Sequence, residues 1–235
     1  IGVSASSASS TSSSSTSSSS PSAPLLGPNA ARLKTLSDCG LRISVYPPFS
    51  YDASGGGARV GTLGGESGGN GNGNGNGNGN GNGKTSLSFD PSAVSIPPLD
   101  FRTTRFLGLP LPPGLRIEIE PLRLSGWVRR ATGEVSLDFE ARFRFTAFGI
   151  YAPPPLFVST TLTTGEAQSE KKSGGENGAG GVRLSGRGEA LKPNGRVALS
   201  GVAVVEPVGD FLLDSFLMLP TECLAELKAE LEFGI

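Results

Sequence analysis

The chain has 235 residues, a formal net charge of −1, 35 glycines, 18 prolines and no histidine. A near-neutral balance gives no footing for a nucleic-acid backbone, and the lack of histidine excludes a Ser-His-Asp triad, a Cys-His pair and His-based zinc or haem ligation. Two cysteines, Cys39 and Cys223, cannot by themselves build a thiolate metal site and are too few for a disulfide scaffold.

In chain order, Ile1-Gly2-Val3 opens without Met and reads as a fragment or a processed chain. Ser4 to Ser20 is almost pure serine with Ala and Thr, and no acidic residue precedes Asp38. That composition predicts a disordered segment over 1–38 of organelle-transit type, chloroplast rather than mitochondrion because arginine is scarce; a plain serine linker is the alternative. Residues 39–235 are expected to form one antiparallel β domain, with disordered glycine-rich insertions at 53–84 and 165–181.

Cys39, Leu41, Ile43 and Val45 alternate with Gly40, Arg42 and Ser44, which predicts a first strand ended by Pro47-Pro48. The Asn-Gly repeat from Asn70 to Gly83 has no apolar flanks and nothing to bury. It ends in Gly83-Lys84-Thr85, but a phosphate loop needs a glycine where Asn78 stands, a strand before it and a helix after it. Leu87 to Ile96 reads as a short extended piece.

Two proline-rich connections, Phe106–Leu115 and Phe148–Phe157, carry more apolar surface than loops usually do. They are expected to pack over the open end of a barrel; contact with a membrane surface is the alternative. Leu115, Ile117 and Ile119 alternate with charged residues, Pro121 interrupts, and Leu122, Leu124, Gly126 and Val128 resume in the other parity. This reads as one long strand with a bulge. Val135, Leu137, Phe139, Ala141, Phe143, Phe145 and Ala147 alternate with polar residues throughout. Such a strand would reach roughly 45 Å if straight, so it must coil in a barrel or half-barrel. Asp138, Glu140, Arg142 and Arg144 on its polar face are expected to form cross-strand ion pairs rather than an acid–base pair.

Leu156 to Leu162 alternates again, and Val182, Leu184, Gly186, Gly188 and Ala190 share one face. Val197 to Val205 is apolar on both faces, so an outer cover is expected, namely a short helix over Asp210–Leu219 with Asp210 as its cap. Glu206, Asp210, Asp214 and Glu222 cluster near that helix, where capping and solubility account for them about as well as acid–base chemistry does. Cys223 to Ile235 has helix-forming residue types but strict alternation, and the alternation predicts a strand. The sum is an all-β, mainly antiparallel fold: a curled sheet, an up-and-down barrel, or a half-barrel or sandwich, with one short helix near the C-terminus.

Four segments, Tyr46–Asp52, Phe106–Pro113, Tyr151–Leu156 and Val204–Pro207 through Leu219–Cys223, resemble a family of uncharacterised land-plant proteins predicted to enter chloroplasts. The resemblance covers roughly Leu41 to Phe233 outside the glycine loops. It implies a plastid and carries no activity or site; within the plastid, the stroma or the periphery of thylakoid or envelope is expected.

The function expected is non-enzymatic: a hydrophobic ligand or lipid held on the concave apolar face, through Leu137, Phe139, Phe143, Phe145, Leu184 and Leu199. The alternative is a structural or assembly factor gripping another plastid protein. No catalytic residue, metal or cofactor is expected, nor a nucleic-acid partner or transmembrane segment. Peripheral membrane contact stays open. Cys39 and Cys223 fall on the apolar parity of their strands and are expected to be buried thiols, with a disulfide the less favoured alternative.

Overall fold

The computed structural model describes residues 26–66, 83–168 and 183–234. The serine tract, most of the Asn-Gly repeat and most of the second glycine segment lie outside these residues. The strands are β1 (Ala30–Thr35), β2 (Cys39–Ile43), β3 (Phe49–Tyr51), β4 (Gly57–Glu66), β5 (Lys84–Phe89), β6 (Val94–Ser95), β7 (Thr104–Phe106), β8 (Leu109–Pro110), β9 (Leu115–Arg129), β10 (Glu134–Ala147), β11 (Leu156–Thr163), β12 (Glu166–Gln168), β13 (Ser185–Arg187), β14 (Arg196–Val205) and β15 (Thr221–Phe233). The helix α1 (Phe211–Leu217) precedes β15.

The β9–β10 hairpin is the spine. Its register runs from Arg129↔Glu134 to Leu115↔Ala147 and slips once, with Arg123 opposite Glu140 and Pro121 opposite Ala141. Leu122 is therefore the extra residue of a bulge, which accounts for the change of parity at Pro121. Outward charges pair across strands as expected: Arg144 binds Glu120 at 3.0 Å, and Thr161 donates to Asp138 at 3.0 Å. The hairpin is tightest at Gly126, which lies between Leu87 and Leu137. A Cβ there would stand 2.9 Å from the Leu137 Cα and nearer still to the Ser136 carbonyl oxygen. Backbone cannot yield as a side chain can. Gly126→Ala is expected to remove about 1–3 kcal/mol of stability, read as a lower urea midpoint, and an unchanged midpoint would contradict this register.

Around the spine the sheet curls. From β9 it continues through β5 and β4 to β1, which also pairs with β15 at Ala31↔Phe233 through Thr35↔Ala229. From β10 it continues through β11 to β14 and β15. The β11–β14 seam holds by a single pair, Thr163↔Ser200, so the object is a large curled sheet and not a closed barrel. β15 is shared along its other edge: β1 takes Ala229–Phe233, and β2 takes Cys223–Glu226. At the β2 end the sheet leaves the ring through β3, β7 and β8. The gap to β9 is bridged by Leu99, whose N–H and C=O both bond Ile117 at 2.9 Å.

Three sequence expectations are corrected. The segment 1–38 contains β1, whose Ala31 and Leu33 are buried between β4 and β15. The first glycine-rich insertion contains the ten-residue β4, and Lys84 opens β5; the second contains β12. The outer cover of β14 is the β12–β13 hairpin, not α1: Gly186 sits so close to Ser200 and Leu224 that no side chain fits between them. The helix instead turns Leu213 and Leu217 onto Leu156 and Val205 at the end of the sheet. Asp210 caps it, accepting from the Leu213 N–H at 2.9 Å. The expected strand over Cys223–Ile235 is β15.

Candidate functional site

The inner face divides into two zones. At the end ringed by β1, side chains fill the space: Leu87, Val128, Val135, Leu137, Leu199 and Leu231 are almost wholly buried against one another. Toward the β2 end the sheet splays, and the residues there are too few to fill it. A cavity of about 270 Å³ remains. Phe139, Phe143 and Phe145 of β10 line one side; Leu41, Tyr51 and Leu227 line the other. Ile117 and Ile119 of β9, Val158 of β11 and Leu99 of the strap contribute further wall. Phe216, Leu217 and Leu219 of the α1 segment also line it.

Its walls are dry by construction. Thr35 donates to the Ala53 carbonyl at 2.5 Å, and Thr160 to the Val202 carbonyl at 2.9 Å. Thr221 is bonded to Ser44 at 2.7 Å, and the Tyr51 hydroxyl donates to the Pro97 carbonyl. Each of these four hydroxyls has a neighbour as partner, and apart from Ser95, Thr104 and Glu226 the other side chains lining the lumen are carbon and sulfur. A water needs two to four polar partners, and a wall so largely apolar offers few. Cys223 is partly exposed, but to this lumen; burial from bulk water pushes its thiol up to about 11. Burial likewise raises Cys39 and Tyr51.

Four of the six residues expected to hold a ligand line the cavity: Leu137, Phe139, Phe143 and Phe145. Two do not. Leu199 is inward but sits in the filled end, 1 % exposed. Leu184 is buried on the outside, where its N–H donates to Glu222 Oε2 at 2.7 Å beside the β12–β13 hairpin. Its alternation with Arg183 and Ser185 showed a buried face and could not show which side of the sheet that face meets. Sequence reasoning missed Leu99, Tyr51 and Ile117 as walls; Leu99 lies in a proline-flanked connection with no period to betray it.

Cys39 and Cys223 are both free. Cys223 is paired with Ile43, and Cys39 lies four residues along β2 from that partner. That offset is roughly 13 Å at about 3.3 Å per residue, beyond the reach of a disulfide. Among the described residues no group of three or more Cys, Asp or Glu is placed to hold a metal ion, and no helix is long and apolar enough to cross a membrane. The acidic residues near α1 serve the backbone: Asp214 accepts from the Val208 and Gly209 N–H groups at 3.0 and 2.9 Å.

Two hydrogen bonds hold α1 at its two ends. Tyr151 donates to Asp210 Oδ1 at 2.5 Å, and Tyr46 donates to the Phe216 carbonyl. The Tyr151 hydroxyl and the Leu213 N–H both stabilise the Asp210 carboxylate and lower its pKa. With the folded value depressed, the stabilisation is present above the ordinary carboxylate range and is lost as pH falls through the folded value. By NMR, Asp210 is expected to titrate below a free aspartate; a midpoint at or above the free value would show that the cap and the Tyr151 contact are absent in solution.

No protein-family model matches the chain, and no curated protein or solved structure matches it either.

Proposed function

We propose that this protein binds an apolar small molecule or lipid within the curled sheet and catalyses no reaction on it. The observation that carries the reading is the 270 Å³ cavity lined mainly by apolar side chains. Left empty, apolar walls of that extent forgo the packing contacts a filled core would make, which costs stability. Water relieves little of that cost, because most of the wall is carbon. An apolar ligand relieves it. The volume lies between an engineered cavity of about 150 Å³ that takes benzene and the roughly 300–1,000 Å³ of ordinary ligand sites.

Thermal melting with a panel of fatty acids, prenols and polyenes tests this. A ligand at a hundred times its Kd stabilises by about 2.7 kcal/mol, which for a domain of this size raises Tm by roughly 5–11 °C. A panel that leaves Tm unmoved would defeat the proposal. The exposed apolar loops favour a second reading, a factor holding another protein; a stable stoichiometric protein partner with an empty cavity would select it. A plastid location rests on the serine-rich, acid-poor composition of 4–20 and on the family resemblance, and imaging of a fluorescent fusion tests it.

A further inference from the structure

Apolar molecules of similar size differ most at their end group. A fatty acid ends in a carboxylate; an alcohol or a plain hydrocarbon carries no charge. A buried carboxylate needs a cation beside it and donors for its remaining lone pairs. Among the described residues that line the lumen, none is lysine or arginine, and the chain has no histidine. The wall's donors are also occupied. The hydroxyls of Thr35, Tyr51 and Thr160 are given to backbone carbonyls, and Thr221 is bonded to Ser44. Thr104 is 1 % exposed, with its Oγ1 3.3 Å from that of Thr103. Ser95 is an exposed residue. The one carboxylate of the wall works against a second: Glu226 stands opposite Gly40, with its Oε2 2.9 Å from where a Gly40 Cβ would be.

The other titratable groups of the wall report what the lumen does to a charge. Burial pushes the Cys223 thiol up to about 11 and raises Cys39 and Tyr51, so all three are neutral at ordinary pH. A ligand's carboxyl group placed among the same side chains is driven the same way, toward its neutral acid.

We propose that the lumen selects its ligand by an uncharged end group: it takes an alkyl or prenyl chain that ends in carbon or a hydroxyl, and discriminates against the same chain ending in a carboxylate. An unpartnered hydroxyl costs far less to bury than an ionised carboxylate. A fatty-acid anion enters tail first and leaves its carboxylate in water, which forfeits part of the burial. The selectivity rests on the cavity reading, and the test separates the two. Decanol and decanoate are titrated into the full chain by calorimetry. At about pH 7 decanol is expected to bind at least about tenfold more tightly. At about pH 4.5 much of the decanoate is protonated, since carboxyl groups titrate near about 4.3 in water. Its affinity should then rise at least about threefold, while that of decanol stays constant. The rise should persist in Glu226→Gln, because the proton belongs to the ligand. Glu226 is exposed, so that substitution leaves the fold intact.

Equal affinity for the two molecules at neutral pH, or tighter binding of decanoate, overturns the selectivity and leaves the cavity reading standing. A rise at low pH that vanishes in Glu226→Gln also overturns it, because the discrimination would then come from one carboxylate and not from the uncharged wall. Binding of neither molecule removes the cavity reading, and the selectivity with it.

Discussion

Ala203→Phe is expected to abolish binding of apolar ligands while raising the melting temperature of the ligand-free protein. Ala203 stands on the inner face of β14, opposite Cys223, 4 % exposed and on the wall of the lumen. In a filled core the added ring would collide with its neighbours and destabilise by about 1–3 kcal/mol. Here it enters open space and replaces missing contacts. Burying the extra carbon is worth about 1–2 kcal/mol. At roughly 2–4 °C per kcal/mol for a chain of this size, Tm rises by roughly 2–8 °C. The ligand loses its room, and affinity falls by at least about tenfold. Calorimetry and probe titration on the same sample read both effects. A variant that is destabilised, or that binds as before, would mean the space beyond Ala203 is not the binding site.

Leu33→Asp is expected to unfold the protein, while Lys34→Ala one position away changes Tm little. Leu33 is 4 % exposed and lies between Ala58 of β4 and Leu231 of β15. Aspartate there loses the leucine's packing, worth about 2–5 kcal/mol, and places a carboxylate among carbon without a partner. Together these approach the whole stability of a domain. Lys34 faces solvent beside Glu230 at 3.8 Å, and exposed pairs of that kind contribute about 0–1 kcal/mol. Circular dichroism on both variants gives the comparison. A folded Leu33→Asp would mean that β1 does not join the two ends of the sheet.

The β9–β10 hairpin and β15 were legible because each is long enough for alternation to outweigh propensity, and the Pro121 parity change marks the bulge. β1 was not. Its inward residues are Ala31, Leu33 and Thr35, a weak pattern in six residues, and its neighbourhood reads as a polar leader. β4 was hidden in the same way, since Gly57, Gly61 and Gly64 suggest loop. Those glycines are there because strands pass close: a Cβ on Gly57 or Gly64 would strike the neighbouring strand.

The site was half legible. A strand's pattern tells which residues are buried but not against what, so the phenylalanines of β10 were found and Leu184 was misplaced. Nor does a pattern say whether inward residues fill their space. That depends on how far β2 and β9 stand apart, which Leu99 decides through two backbone bonds with Ile117. The proline-rich connections were expected to pack over the end of the sheet. Leu111 and Leu156 do, but Leu107, Phe148 and Ile150 stay in water, because their turns project beyond the last paired residues, and Leu109 on the edge strand β8 is exposed as well.

The most direct measurement is NMR of the protein bound to an isotope-labelled fatty acid, reading which side chains lie within about 5 Å of the chain. Contacts to Phe139, Phe143, Val158 and Leu227 together are predicted, because only the lumen brings those four to one molecule. Contacts confined to Phe211, Leu212 and Ile150, with the inner rings unmoved, would contradict it.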